Sequence, residues 1–366
     1  MGLGPMTPPA TVLVVVTRRI GDVLLATPLI RSLKRAWPAA AIDVLVFAGT
    51  EGVLTANPDV RRVLTIAERP RWGDHLAFAA GIARRYAIAL SLVPSDRPTV
   101  YAWLAGRWRA GLVIDDPKHR WKTWLLQRWL PFDNADTHTV LMHLALAKVV
   151  DVAPCYEVVA AWSEADRGEV ARWLPFAASA PYAVLHTYPK FNYKMWRPAA
   201  WVELAQQLKT RGLEVVLTGG TDAAELAYVD AIAREIPGAV NLAGKLTLSQ
   251  TACLLQRARA YVGPDTAVTH MAAAAGVPVI SLYGATNPVK WGPWPHGYSG
   301  AVNPWKRLGS QRANNVTLIQ GNTACVPCFN EGCDRHVASY SDCLQQLPVA
   351  RVAAALNRAI GVMPPV

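Results

Sequence analysis

A chain of 366 residues is too long for one ordinary core and fits two domains of common size. With 52% hydrophobic and 17% charged residues it is globular rather than disordered, and no apolar run approaches the roughly 20 residues that cross a bilayer. Lys and Arg number 37 against 26 Asp and Glu, so the formal charge is +11, an excess that favours anionic partners unless it merely reflects an Arg-rich proteome.

Residues 11–17 (TVLVVVT) form a β-branched run that reads as a buried parallel strand. Arg18 and Arg19 follow this apolar stretch instead of preceding it, unlike a signal peptide, and a cytoplasmic protein is expected. Six cysteines in that compartment read as thiols. The turn 18–22 leads into a helix with Leu25, Leu29 and Leu33 at helical spacing, and residues 42–47 make a second strand, closing one βαβ unit. Further strands are expected at 60–66, 87–93 and 110–114, and a helix at 138–150. Residues 151–180 lose periodicity and read as a linker. The alternation then restarts with strands at 182–186, 214–217, 260–262 and 277–282 and helices at 198–211 and from Gly219-Gly220 to about 234. The fold class is α/β, with two doubly wound domains facing each other.

In such sheets ligands bind at the carboxyl ends of strands, so the strand-to-helix turns are where chemistry belongs. In Arg19-Ile20-Gly21-Asp22, the glycine permits a tight turn and the carboxylate meets the positive end of a helix. Simple capping by Asp22 explains the motif as well. In the run 262–270 (VGPDTAVTH), Asp265 and Thr266 open a helix whose free N–H groups suit an anion, with His270 one turn on. The bland reading is again a cap and a half-buried core histidine. His186-Thr187, followed by Lys194 ahead of the Pro198 helix, adds a hydroxyl and an ammonium at the same edge, and Lys suits a diphosphate as a mobile charge. No Asp-x-Asp metal clamp, no Gly-x-Gly-x-x-Gly after a strand and no P-loop occurs.

Residues 14–33 (VVVTRRIGDVLLATPLIRSL) and 263–278 (GPDTAVTHMAAAAGVP), with His186-Thr187, Lys194, Trp196 and the 283–288 run YGATNP between and after them, resemble glycosyltransferase family 9, the heptosyltransferases. The resemblance implies a GT-B fold, two Rossmann-like domains around a central cleft. Residues 1–165 would bind the acceptor and 166–366 the nucleotide-sugar donor, with the last helix able to pack back on the first domain. It implies Asp22 as the general base. Thr187, Lys194, Asp265, Thr266, Ala267 and His270 would hold the nucleotide diphosphate and its sugar, and Glu225 the nucleoside. Ala267 stands where members often carry Gly, and Arg18-Arg19-Ile20 where several carry Ser-Ser. Arg18, Arg19, Arg120 and Lys122 become candidate acceptor contacts.

The implied reaction is inverting, metal-independent transfer of heptose from ADP-heptose to a lipopolysaccharide inner core. The alternatives are another nucleotide sugar on a different glycan, or a non-catalytic basic protein at a membrane surface. Residues 101–129 interleave Trp103, Trp108, Trp121, Trp124 and Trp129 with Arg and Lys. They read either as an amphipathic helix for an anionic glycolipid or inner-membrane surface, or as a helix packing its Trp face inward. No nucleic-acid motif accompanies them, and no nucleic-acid partner is expected. Cys325, Cys328, Cys333 and Cys343 have spacing that could hold zinc, but the expectation is no metal.

Overall fold

The structure, a computed structural model, describes residues 8–361. Its described residues divide into two compact units, unit 1 within residues 1–161 plus 299–301, and unit 2 within 162–298 plus 302–366.

Unit 1 is built on β1 (Thr11–Val15), β2 (Ala41–Phe47), β3 (Arg62–Ile66), β4 (Tyr86–Ser91), β5 (Gly106–Val113) and β6 (Arg128–Pro131). Their spatial order is β3-β2-β1-β4-β5-β6, and every pair is parallel. Helices cover both faces of such a sheet, so its central strands bury both sides. Val12 to Val15 are accordingly fully buried, which is why β1 reads as an unbroken apolar run. Leu13, Val15, Leu45 and Ala89 share one core with Tyr101, Ala102 and Ala105 of the helix Asp96–Ala105.

Unit 2 is built on β7 (Tyr182–His186), β8 (Glu214–Thr218), β9 (Val240–Asn241), β10 (Ala260–Pro264), β11 (Val279–Tyr283), β12 (Gln311–Ala313) and β13 (Val316–Gln320). They run in the order β12-β13-β11-β10-β7-β8-β9, parallel except for the β12–β13 hairpin. Both orders contain the doubly wound pattern in which the first strand lies centrally and the chain reverses direction beside it. The switch points fall between β1 and β4 in unit 1 and between β7 and β10 in unit 2. Two such units in one chain give the GT-B fold.

Several expectations are corrected. The helix after β1 is two helices, Ile20–Leu24 and Thr27–Ala36. Pro28 sits in the first turn of the second, where its missing N–H costs nothing. The stretch 151–180 is not featureless, because Ser163 and Asp166 form a capping box that opens a helix, Glu164–Trp173. Only Val170 of that helix is buried, so it lacks the apolar stripe that would reveal it. The helix Val349–Ile360 packs in unit 2, where Val352, Leu356 and Ile360 join Leu204, Leu208 and Leu217 in one core. The Trp/Arg segment is neither of the two helices anticipated. It breaks into the end of the helix Asp96–Ala105, which carries Trp103, then β5, a short helix Trp121–Leu125 and β6, which carries Trp129. Its Trp124 is 84% exposed and Trp121 37%, so these rings are not core.

Candidate active site

The loops flanking the switch point of unit 2 meet in a buried ion cluster. Thr187 directly follows β7 and is fully buried, with no hydrogen-bond partner for its Oγ1. A single 3-10 turn, Asn192–Lys194, brings the Lys194 ammonium onto the Asp265 carboxylate and to 3.4 Å from the Asp265 carbonyl oxygen. Asp265 directly follows β10, and Thr266 is the N-cap of the helix Ala267–Ala275, accepting from the Thr269 N–H at 3.4 Å. One turn in, His270 places Nε2 at 3.7 Å from Asp265 Oδ1, while its Nδ1 is buried without a partner. Ala267, half-buried, is the first residue of this helix, at the end where N–H groups lack intrahelical acceptors.

Burial alone would raise the Asp265 carboxyl, but the Lys194 ammonium and the His270 ring outweigh it and hold the group well below the usual carboxylate range. Asp265 is therefore an anion at neutral pH. The Tyr283 hydroxyl, at the end of β11, lies 3.2 Å from Asp265 Oδ1 and 2.6 Å from the Trp291 carbonyl oxygen. Burial first, and then the Asp265 charge, drive this hydroxyl far above the ordinary tyrosine value. His186 contacts Thr218 Oγ1 at 3.1 Å, and burial pushes its ring down to about 4, so it is neutral at pH 7. Tyr283 and Thr218 were not foreseen as site residues. A polar side chain closing an apolar strand was the signal for both.

Beside this cluster, β8 ends in Gly219-Gly220. Glu225 accepts the Gly220 N–H at 2.6 Å from within the helix Ala223–Arg234. A Cβ on Gly220 would stand 2.9 Å from Glu225 Oε2, so the missing side chain is what lets this carboxylate lie against the backbone. Burial raises the Glu225 carboxyl, and the Gly220 N–H opposes that rise.

In unit 1, Asp22 comes from the turn after β1, at that unit's switch point, in the first turn of Ile20–Leu24. The N-cap position belongs to Arg19, which makes no side-chain cap. Arg18 Nε stands 3.6 Å from Asp22 Oδ1, with Arg18 half-buried and Arg19 exposed. Arg120 is likewise exposed. Lys122 is not. Its Nζ is fully buried, donates to the Pro94 carbonyl oxygen at 2.6 Å and pairs with Asp96 at 2.6 Å. That corrects its assignment as an acceptor contact. A third contact, to His119 Nδ1 at 3.2 Å, uses the last of its three donors, so it fastens the loop after β4, at the same switch point.

The cysteines stay a separate feature. Cys325 and Cys333 are exposed, Cys328 is intermediate and Cys343 buried. Burial, and then the other three thiols, push Cys343 up to about 11. Among the described residues no three His, Cys, Asp or Glu side chains are placed to hold a metal ion.

Two doubly wound units, one carrying a lysine and an anion-ready helix start at its switch point and the other a carboxylate, define a nucleotide-sugar glycosyltransferase of the GT-B class. Residues 85–333 match the model of glycosyltransferase family 9 (heptosyltransferase), and the chain belongs to that family. It is 30% identical to lipopolysaccharide heptosyltransferase 1 of Pseudomonas aeruginosa over 334 residues, 88% of this chain and 87% of that one. It is also 30% identical to lipopolysaccharide heptosyltransferase 3 of Escherichia coli K12 over 292 residues, 75% of this chain and 82% of that one. Among solved structures it resembles the E. coli ADP-heptose lipopolysaccharide heptosyltransferase II. The TM-score is 0.74 at 21% identity, covering 96% of this chain and 98% of that one. No helix among the described residues is long and apolar enough to cross a membrane.

Proposed function

We propose that this enzyme moves a heptose, with inversion, from ADP-heptose to the inner core of lipopolysaccharide. The observation that carries the reading is the Lys194–Asp265–His270 cluster beside the start of the helix Ala267–Ala275. Two buried polar atoms there, Thr187 Oγ1 and His270 Nδ1, have no partner among the described residues. Each such atom costs about 1–3 kcal/mol, which a polar ligand at this edge offsets. The helix start and Lys194 suit the diphosphate, as a fixed dipole and a point charge. Glu225 then faces the nucleoside.

In the transfer step Asp22 takes the proton of the acceptor hydroxyl as that oxygen attacks the anomeric carbon. The bond to the diphosphate breaks on the opposite face. Lys194 and the first-turn N–H groups at Thr266 and Ala267 stabilise the charge gathering on the leaving phosphate. Chemistry of this kind needs no metal. Arg18, Arg19 and Arg120 meet the anionic groups of the acceptor, and the exposed Trp121 and Trp124 rest at the inner-membrane surface where that glycolipid lies.

The test supplies ADP-heptose and a heptose-free lipopolysaccharide precursor in excess chelator. A mass gain of one heptose is expected on the precursor. Transfer only from another nucleotide sugar, or only with added divalent metal, contradicts the reading.

A further inference from the structure

The chain carries a net charge of +11, and several of its arginines gather at one edge of the unit 1 sheet. A cavity of about 660 Å³ opens where the amino ends of β1, β3, β4 and β5 converge, lined by Arg61, Arg62, Arg84, Arg85 and Arg107 together with apolar residues such as Leu64 and Phe78. All strands of this sheet are parallel, so this edge is the one opposite Asp22, which follows the carboxyl end of β1. The transfer chemistry makes no use of it.

One carboxylate pairs with two of these five guanidinium groups. Asp43, in the middle of β2, is fully buried and accepts from Arg61 Nε at 2.8 Å, Arg61 Nη2 at 2.6 Å, Arg62 Nη2 at 2.9 Å and the Tyr86 hydroxyl at 2.7 Å. It fixes two of the forks and neutralises one charge. Among the described residues no carboxylate is within ion-pairing distance of Arg84, Arg85 or Arg107, and none of the three side chains is buried. Like charges gathered around a cavity repel one another unless an anion occupies it. Guanidinium forks held in place by a buried partner are matched to phosphate oxygens, which they bind bidentately.

We propose that this pocket is a second ligand site, built to hold a polyanion bearing two or more phosphate charges. The same chemistry is offered by a lipid headgroup at a membrane surface and by a free polyphosphate ester, and the experiment separates them. The full chain, kept in excess ADP to occupy any nucleotide site in unit 2, is titrated with inorganic tripolyphosphate. In parallel it is floated with vesicles of phosphatidylcholine containing phosphatidylglycerol.

Arg85→Gln with Arg107→Gln is compared with Lys306→Gln with Arg312→Gln, which removes equal charge from unit 2. Arg61 and Arg62 are left intact because Asp43 depends on them. The pocket variant should lose about tenfold or more in affinity for at least one probe, with the unit-2 variant close to the parent. Loss confined to tripolyphosphate identifies a free phosphate ligand, and loss confined to vesicles a headgroup. Loss of both identifies the phosphate groups the two share. Equal loss in the two variants, loss only in the unit-2 variant, or no loss at all overturns the site.

Discussion

Lys194→Ala removes the counter-charge of a buried carboxylate as well as the proposed contact to the donor. Leaving Asp265 unpaired should cost about 3–5 kcal/mol of stability at pH 7. Asp265 titrates well below its unfolded value, so its stabilisation is complete above about pH 4 and is lost as pH falls through the folded value. Without Lys194 only the His270 ring opposes burial, so the carboxyl takes up its proton at a higher pH than in the parent. The melting-temperature deficit of Lys194→Ala should therefore shrink between pH 7 and pH 4.5, and an unchanged deficit would separate Lys194 from Asp265. Nucleotide affinity should fall by roughly 1–3 kcal/mol, the worth of one charge-assisted hydrogen bond. His186 acts with the opposite charge type. Its folded value of about 4 lies below the unfolded histidine value, so the unfolded chain binds more protons and stability declines as pH drops from about 6.5 to about 4. His186→Gln should flatten that limb by about 3 kcal/mol in a pH series of melts. An acid limb unchanged in the variant would place the titration elsewhere.

The positions of Asp265, directly after β10, and of Lys194, ahead of the Pro198 helix, were readable in the sequence, but their meeting across 71 positions was not. Asp43 finds its partners in Arg61, Arg62 and Tyr86, up to 43 positions away, and nothing local announces that meeting. Lys122 looked like a surface cation because a charge pattern records sign and spacing, not burial. Its partners Pro94 and Asp96 arrive from an earlier loop.

Among the elements, the helix Ala267–Ala275 links stability to ligand. Thr266 caps one end, and Gly276 closes the other at φ +84, a backbone only glycine adopts without strain. Thr266→Ala should lower stability by about 1 kcal/mol and weaken nucleotide binding, whereas Thr266→Ser, which keeps the hydroxyl, should restore both. If Thr266→Ser restores the melt but not the binding, the hydroxyl is a cap and no donor contact. Buried strands were the most legible elements, since short apolar runs such as β1 and β7 have no other use for so much apolar surface. Elements held by caps or edges were the least. The Glu164–Trp173 helix rests on a capping box, and β12 on a two-residue turn with Asn314 at positive φ. The helical spacing of Trp121, Trp124, Leu125 and Trp129 holds only over the short helix Trp121–Leu125, since Trp129 lies on β6, while Trp103 and Trp108 belong to the helix Asp96–Ala105 and to β5.

At the scale of the molecule, each unit repeats one wiring and places its chemistry at the equivalent position. Asp22 follows the first strand of unit 1, and the Lys194–Asp265–His270 cluster, the proposed donor site, flanks the first strand of unit 2. That symmetry divides the reaction: unit 2 should set affinity for the nucleotide sugar, and Asp22 should set only the rate of proton removal. Asp22→Asn keeps the side chain's size and first-turn position while removing the proton acceptor. The decisive measurement is heptose transfer by Asp22→Asn under saturating donor, alongside its ADP affinity and its melting temperature. Turnover should fall by about 10²–10⁴-fold, the usual worth of general base catalysis, with affinity and melting temperature close to the parent. Near-normal turnover, or a loss explained by weaker ADP binding or partial unfolding, would contradict Asp22 as the base.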